Sequence, residues 1–190
     1  MLTSSLIGRL SRFSGDRRGV SAVEFAFIAP VMVGLYLGCA EISDGVAADR
    51  KVSLIVDALA NLSSQVTAIS SAQMTNILDA SGAIIAPYSA SNLQMTLSCI
   101  KINSTGVATV QWSVTRNGTA RSAGSVYSFP SESTALAVNG SWLLLAEASY
   151  AYTPAVGYTI SGTLTLSDKM YMAPRITAPS YGDATPISCT

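Results

Sequence analysis

The run VSAVEFAFIAPVMVGLYLGCA, from Val20 to Ala40, holds 21 residues and one charge, Glu24. A helix needs about 20 consecutive apolar residues to cross the hydrocarbon core of a bilayer, so this run reads as a single membrane span close to the N-terminus. A carboxylate at the bilayer centre costs about 2.5–3.5 kcal/mol even on insertion scales. Glu24 therefore requires either a partner or a place near the headgroups. Pro30 removes one backbone hydrogen bond within the run, and Gly34, Gly38 and Gly45 leave room for a neighbouring backbone.

Charge is distributed unevenly about the span. Arg9, Arg12, Arg17 and Arg18 against Asp16 make residues 1–19 net +3, whereas residues 41–190 carry nine acids and seven bases. By the positive-inside rule the arginine side stays in the cytoplasm and the larger part is exported. The formal net charge is zero, which leaves no basic surface for nucleic acid. Charged residues make up 12% of the chain and apolar ones 49%, against a usual charged share of about 25%, as expected for a membrane or secreted protein rather than a disordered one. The chain lacks histidine, which removes Ser-His-Asp and Cys-His catalysis and the commonest metal ligand. We expect no enzyme activity, no cofactor and no metal site. Asp44, Asp49, Asp57, Glu147 and Asp168 are the acids a membrane-anchored enzyme would have to use; they read as solvated faces, without a flanking motif. Cys99 and Cys189 are a candidate disulfide in an oxidising compartment, with two separate thiols as the alternative.

The apolar pattern continues past the span. Ile42, Val46, Val52, Ile55, Leu59, Leu62 and Val66 recur at helical spacing with Asp49 on the same face, which predicts a helix leaving the membrane as an amphipathic stalk to about residue 66. SSAQMTNILDASG predicts a short helix over about 72–80, with Ser70 or Ser71 as N-cap and Gln73 completing a capping box. The period then changes to two. Leu93, Met95, Leu97 and Cys99 alternate, as do Val110, Trp112 and Val114, and the NSTG between them predicts a hairpin. RNGT at Arg116–Thr119 is a second hairpin signal. One short strand is expected near Tyr127, and two long ones in SWLLLAEASYAYTP and YTISGTLTLSDKMYMAP. The predicted architecture is α+β: a basic cytoplasmic segment at 1–19, a transmembrane helix at 20–40, and an exported domain at 41–190. In that domain the helix lies against an antiparallel sheet spanning about 92–174, followed by a tail at 175–190.

DRRGVSAVEFAFIAP, followed by CAEISDGVAADRKV, resembles the N-terminal signature of TadE-like proteins, minor pilin-type components of tight-adherence (Tad) pili, a type IV-related system. ASYAYTP, LTLSDKMYMAPR and the terminal cysteine are similar to the C-terminal half of such proteins. The resemblance implies that a prepilin peptidase cuts after Gly19, behind the basic pair Arg17 and Arg18. Val20 then becomes the new N-terminus and Glu24 the fifth mature residue. It further implies a single-pass protein of the bacterial inner membrane, N-terminus inside, whose partners are that peptidase, other pilins and Tad assembly proteins. Phe25 stands where the major Tad pilins usually have tyrosine, and the body is longer than those short helical subunits; both disfavour a major filament subunit. TadE-type and TadF-type assignments stay open, as do tip, priming and scaffold roles. In that setting the α-amino group of Val20 and the Glu24 carboxylate, one helical turn apart, form an attractive pair within or between subunits.

A membrane-anchored or lipid-anchored periplasmic binding protein, not processed at Gly19, is the alternative. In its lipid-anchored form YLGC at Tyr36–Cys39 serves as a lipobox and Cys39 becomes the lipidated N-terminus, although Tyr36 and Leu37 suit that pattern poorly.

Overall fold

A computed structural model of the chain describes residues 18–154, 162–176 and 178–182. Arg9, Arg12, Arg17 and Cys189 lie outside the described residues, as does the beginning of the last long strand segment.

One helix, α1 (Arg18–Ser64, 47 residues), dominates the molecule. At 1.5 Å per residue it is about 70 Å long, more than twice the hydrocarbon thickness. Its first half stands free of the other described residues, with Phe25, Phe27, Val31, Leu35 and Tyr36 exposed. From Glu41 onward one face is covered. Glu41, Ala48, Val52, Ile55, Val56, Leu59, Ala60, Ser63 and Ser64 are buried at three- and four-residue steps. At its end the Ser63 hydroxyl donates to the Leu59 carbonyl and the Ser64 hydroxyl to that of Asn61, while the Arg175 N–H reaches the Ser64 carbonyl at 3.0 Å. The bonds to Asn61 and Ser64 satisfy terminal carbonyls that a helix leaves without partners.

This buried face is rotated from the expected stripe. Val52, Ile55 and Leu59 face inward as predicted, but Ile42, Val46 and Leu62 are exposed. Where α1 first meets the sheet, Gly45 is buried beside Tyr152, and a Cβ there would stand 3.7 Å from that ring. Volume on the opposing surface, rather than apolarity along the helix, decides which side turns in.

After a two-residue strand β1 (Ala68–Ile69), helix α2 runs from Ser71 to Gly82. Its capping box is formed as expected: the Ser70 hydroxyl accepts from the Gln73 N–H, and the Gln73 side chain accepts from the Ser70 N–H. A five-stranded antiparallel sheet follows: β2 (Leu93–Ile102), β3 (Ala108–Arg116), β4 (Val126–Tyr127), β5 (Trp142–Tyr152) and β6 (Leu164–Met172). They lie in the order β4-β3-β2-β5-β6. The α+β architecture, a long N-terminal helix against an antiparallel sheet, is thus as predicted. Leu93, Met95, Leu97, Cys99, Leu144, Ala146, Ala148, Tyr150 and Leu166 form the sheet side of the core against α1 and α2. On the opposite face Ile100, Ile102, Ala108, Leu143 and Leu145 make a smaller core with Tyr127, Phe129 and Tyr171.

Two strand expectations need correction. The Val110, Trp112, Val114 alternation is broken, because the register passes from Cys99↔Trp112 to Ile100↔Val110. Gln111 is the extra residue of a bulge, and Val110 pairs with Ile100 of the smaller core. The RNGT turn does not open a tight hairpin either. Asn117 has a positive φ of 56°, yet the chain next pairs with β3 only at Val126 and Tyr127, back at its start. The intervening Ser- and Gly-rich residues lack alternating apolar side chains, and the Asn117 amide donates to the Leu93 carbonyl at 2.9 Å.

The tail also contains an element without a sequence signal. β7 (Ser180–Tyr181) pairs in parallel with β1, Ala68↔Ser180 and Ile69↔Tyr181. Trp112 holds it there: its Nε1–H donates to the Pro179 carbonyl at 3.0 Å, and its ring lies 5.6 Å from that of Tyr181.

Candidate functional site: the free end of the long helix

The Gly19–Val20 bond lies in the first turn of α1, the part of a helix that frays most cheaply. Gly19 has open space around it, with nothing within 4 Å of a built Cβ. Val20 and Glu24 are both exposed and share a face by their four-residue separation. The Arg18 backbone begins the helix. The geometry available here is an accessible peptide bond with an acid one turn beyond it, on the half of the helix that the other described residues leave exposed. Farther along, Pro30, Val31, Gly34, Leu35, Gly38, Cys39 and Ile42 line a shallow apolar groove. Cys39 on its rim is exposed and is the free cysteine among the described residues.

The helix Gly19–Ser64 is the one candidate span among the described residues. Residues 19–56 match a family model described as TadE-like protein. The segment is TadE-like. No curated protein and no solved structure matches the chain. The TadE-like segment begins at Gly19 and covers both the free half of α1 and the first turns that meet the sheet.

The remaining sequence candidates sit apart from this end. Asp44, Asp49 and Asp57 are exposed on α1. Glu147 and Asp168, read from the sequence as solvated faces without a flanking motif, line one open depression with Gln94, Thr96, Ser149, Ser167 and Lys169. The antiparallel register brings them near each other, since Glu147 pairs with Lys169 and Ala148 with Asp168. Glu147 is engaged by Arg121, which donates Nη2 to Oε1 at 2.9 Å and a second bond to Oε2. This bidentate pair raises the Arg121 pKa, chiefly through the Glu147 hydrogen bond. Cys99 is fully buried opposite Trp112 and Leu144.

Arg121 was not legible as a structural residue. It stands in a Ser- and Gly-rich loop, and the one cue is an isolated Glu147 in an otherwise apolar strand. Its guanidinium also lies 5.5 Å from the Tyr127 ring, and Tyr127 shares a 2.6 Å hydroxyl–hydroxyl bond with Tyr171. Burial and that bond hold the Tyr127 phenol well above the usual value of about 10. A raised folded-state pKa means that the folded chain binds the proton more tightly. The stabilisation is complete below about pH 10 and is lost as pH rises toward the folded value. The melting temperature of the detergent-solubilised protein should therefore fall above pH 10, and Tyr127→Phe should make that fall shallower. An identical alkaline profile in the variant would remove Tyr127 from this account.

Proposed function

We infer that the protein is a minor pilin-like component of Tad-type pilus assembly, anchored in the bacterial inner membrane with its sheet domain in the periplasm and cut by a prepilin peptidase after Gly19. The TadE-like match over residues 19–56 carries this reading, because it starts at the glycine of the proposed cut and includes Glu24. The work is structural rather than enzymatic. Apart from Glu24, the free half of α1 is apolar on all sides, as befits a helix that exchanges lipid for other pilin helices, and the sheet domain presents a surface to other assembly components. After the cut, the Val20 amine and the Glu24 carboxylate supply an attraction within or between subunits, reinforced by the partial positive charge at the helix N-terminus. Glu24→Gln removes the charge at nearly constant shape. It should still insert and be processed, but should lose incorporation into pilin assemblies, measured by co-purification with other pilins and by pilus counts on the deleted host. Normal piliation would mean that Glu24 only reaches for the headgroups.

Cys99 and Cys189 are assigned as a periplasmic disulfide. The described tail supports this: Pro179 and Tyr181 lie against Trp112, the cross-strand neighbour of Cys99, and Gly182 precedes Cys189 by seven residues. Seven extended residues reach about 24 Å, so distance is no obstacle. Non-reducing electrophoresis should show faster migration than after reduction, and Cys189→Ser should abolish the difference. Alkylation of both thiols in unreduced native protein would sink the assignment.

A further inference from the structure

The two edges of the sheet end differently. On one side β4 is two residues long, and a strand that short offers little to an incoming chain. On the other, β6 runs nine residues in unbroken register with β5, without proline or bulge, and no described strand pairs with its outer side. Thr165, Ser167, Asp168 and Lys169 are exposed there. A long regular edge of this kind is a template for pairing with a second copy, and natural proteins block such edges with short strands, bulges, prolines or a charge on the inward face.

The inward face of β6 carries Leu164, Leu166, Asp168, Met170 and Met172. Leu166 is buried in the main core, and Met170 and Met172 pack against it. Asp168 breaks this apolar row at its centre: it pairs with buried Ala148 and is itself exposed. No ion pair among the described residues accounts for it. Lys169 lies 3.6 Å from Glu132, Glu147 is held by Arg121, and Asp49, Arg50 and Asp57 are exposed on α1 without a salt bridge to it. Its carboxylate turns to the backbone instead, where Oδ1 accepts from the Lys169 N–H at 2.8 Å. A donor spent on a side chain in this way is closed to the carbonyl of a neighbouring strand.

Pairing geometry adds a second obstacle. Two antiparallel copies of β6 related by a two-fold axis pair residues on the same face, and full overlap of Leu164–Met172 places residue 168 opposite its own copy. Like charges directly opposite each other are destabilising. The next register brings Lys169 opposite Lys169, with the same result.

We propose that Asp168 guards the β6 edge against pairing with a second copy of the chain, by covering the Lys169 N–H and by setting like charges face to face in the fully overlapped register. The guard keeps the sheet domains of neighbouring copies apart and leaves contact between copies to other surfaces.

The test uses the full chain in detergent, with Cys39→Ser and Ser167→Cys. In the overlapped register Ser167 stands diagonal to its own copy, about 7–8 Å away and within reach of a short bis-maleimide. Asp168→Val and Asp168→Thr both remove the carboxylate and suit a strand. Each should raise the yield of cross-linked dimer several-fold over the parent that keeps Asp168. A cysteine placed instead at Ser104, exposed in the turn between β2 and β3, should show no such rise. An unchanged yield in both variants overturns the guard. So does a rise confined to D168V, which added apolar surface would explain, and so does an equal rise at Ser104, which would mean that the copies associate elsewhere.

Discussion

Gly19→Leu is expected to leave the protein as a full-length precursor inserted in the membrane, with the mature band lost. Gly19 lies in the first helical turn with open space around it, so leucine there fits the fold without a clash and adds to helix propensity. The effect therefore reads the peptidase and not folding. A side chain at that position would obstruct close approach of an enzyme to the backbone of the bond it must cut. Precursor and mature forms differ by nineteen residues and separate on a denaturing gel. A normal mature band from G19L would move the cut elsewhere or remove it from the account.

Leu59→Ala is expected to give a large loss of stability. Leu59 is fully buried in the shared core with Ile55, Val52, Leu97 and Leu144. Truncating such a leucine costs about 2–5 kcal/mol, from lost transfer energy and from the cavity left behind. Leu62 lies three residues farther along the same helix but is 40% exposed, and Leu62→Ala should cost less than about 1 kcal/mol. Urea unfolding of the two full-length variants in detergent, followed by near-ultraviolet circular dichroism, separates them. Equal losses would mean that the stripe read from the sequence, rather than the rotated face in the structure, meets the sheet.

That pair marks where the sequence was legible. Long-period signals carried through: a 21-residue apolar run forms the free half of α1, and the Ser70–Gln73 pair caps α2. Alternation in β2 holds along Leu93, Met95, Leu97 and Cys99 because one face meets a helix throughout. What failed depended on partners distant in the chain. Ile42 and Val46 look like core residues until the bulk of Tyr152 makes Gly45 the better fit. Val110 changes face because β3 carries one extra residue, and a bulge leaves no mark on apolar periodicity. β1 and β7 are two residues each, too short for any pattern, and are held by the Trp112 bond to the Pro179 carbonyl. For the candidate site the balance is reversed. Gly19, Val20 and Glu24 were marked by the resemblance to TadE-like proteins, and Glu24 also by its charge within an apolar run; the structure adds that they are exposed on the end of the helix away from the sheet.

The central claim is that this chain, with its TadE-like segment at residues 19–56, is a processed, pilin-like membrane subunit. Intact mass and N-terminal sequencing of the protein purified from its native membranes test it most directly. The account predicts a mature chain that begins at Val20, with Glu24 as its fifth residue. A chain that retains the residues before Gly19, or one that begins at a lipidated Cys39, would contradict it.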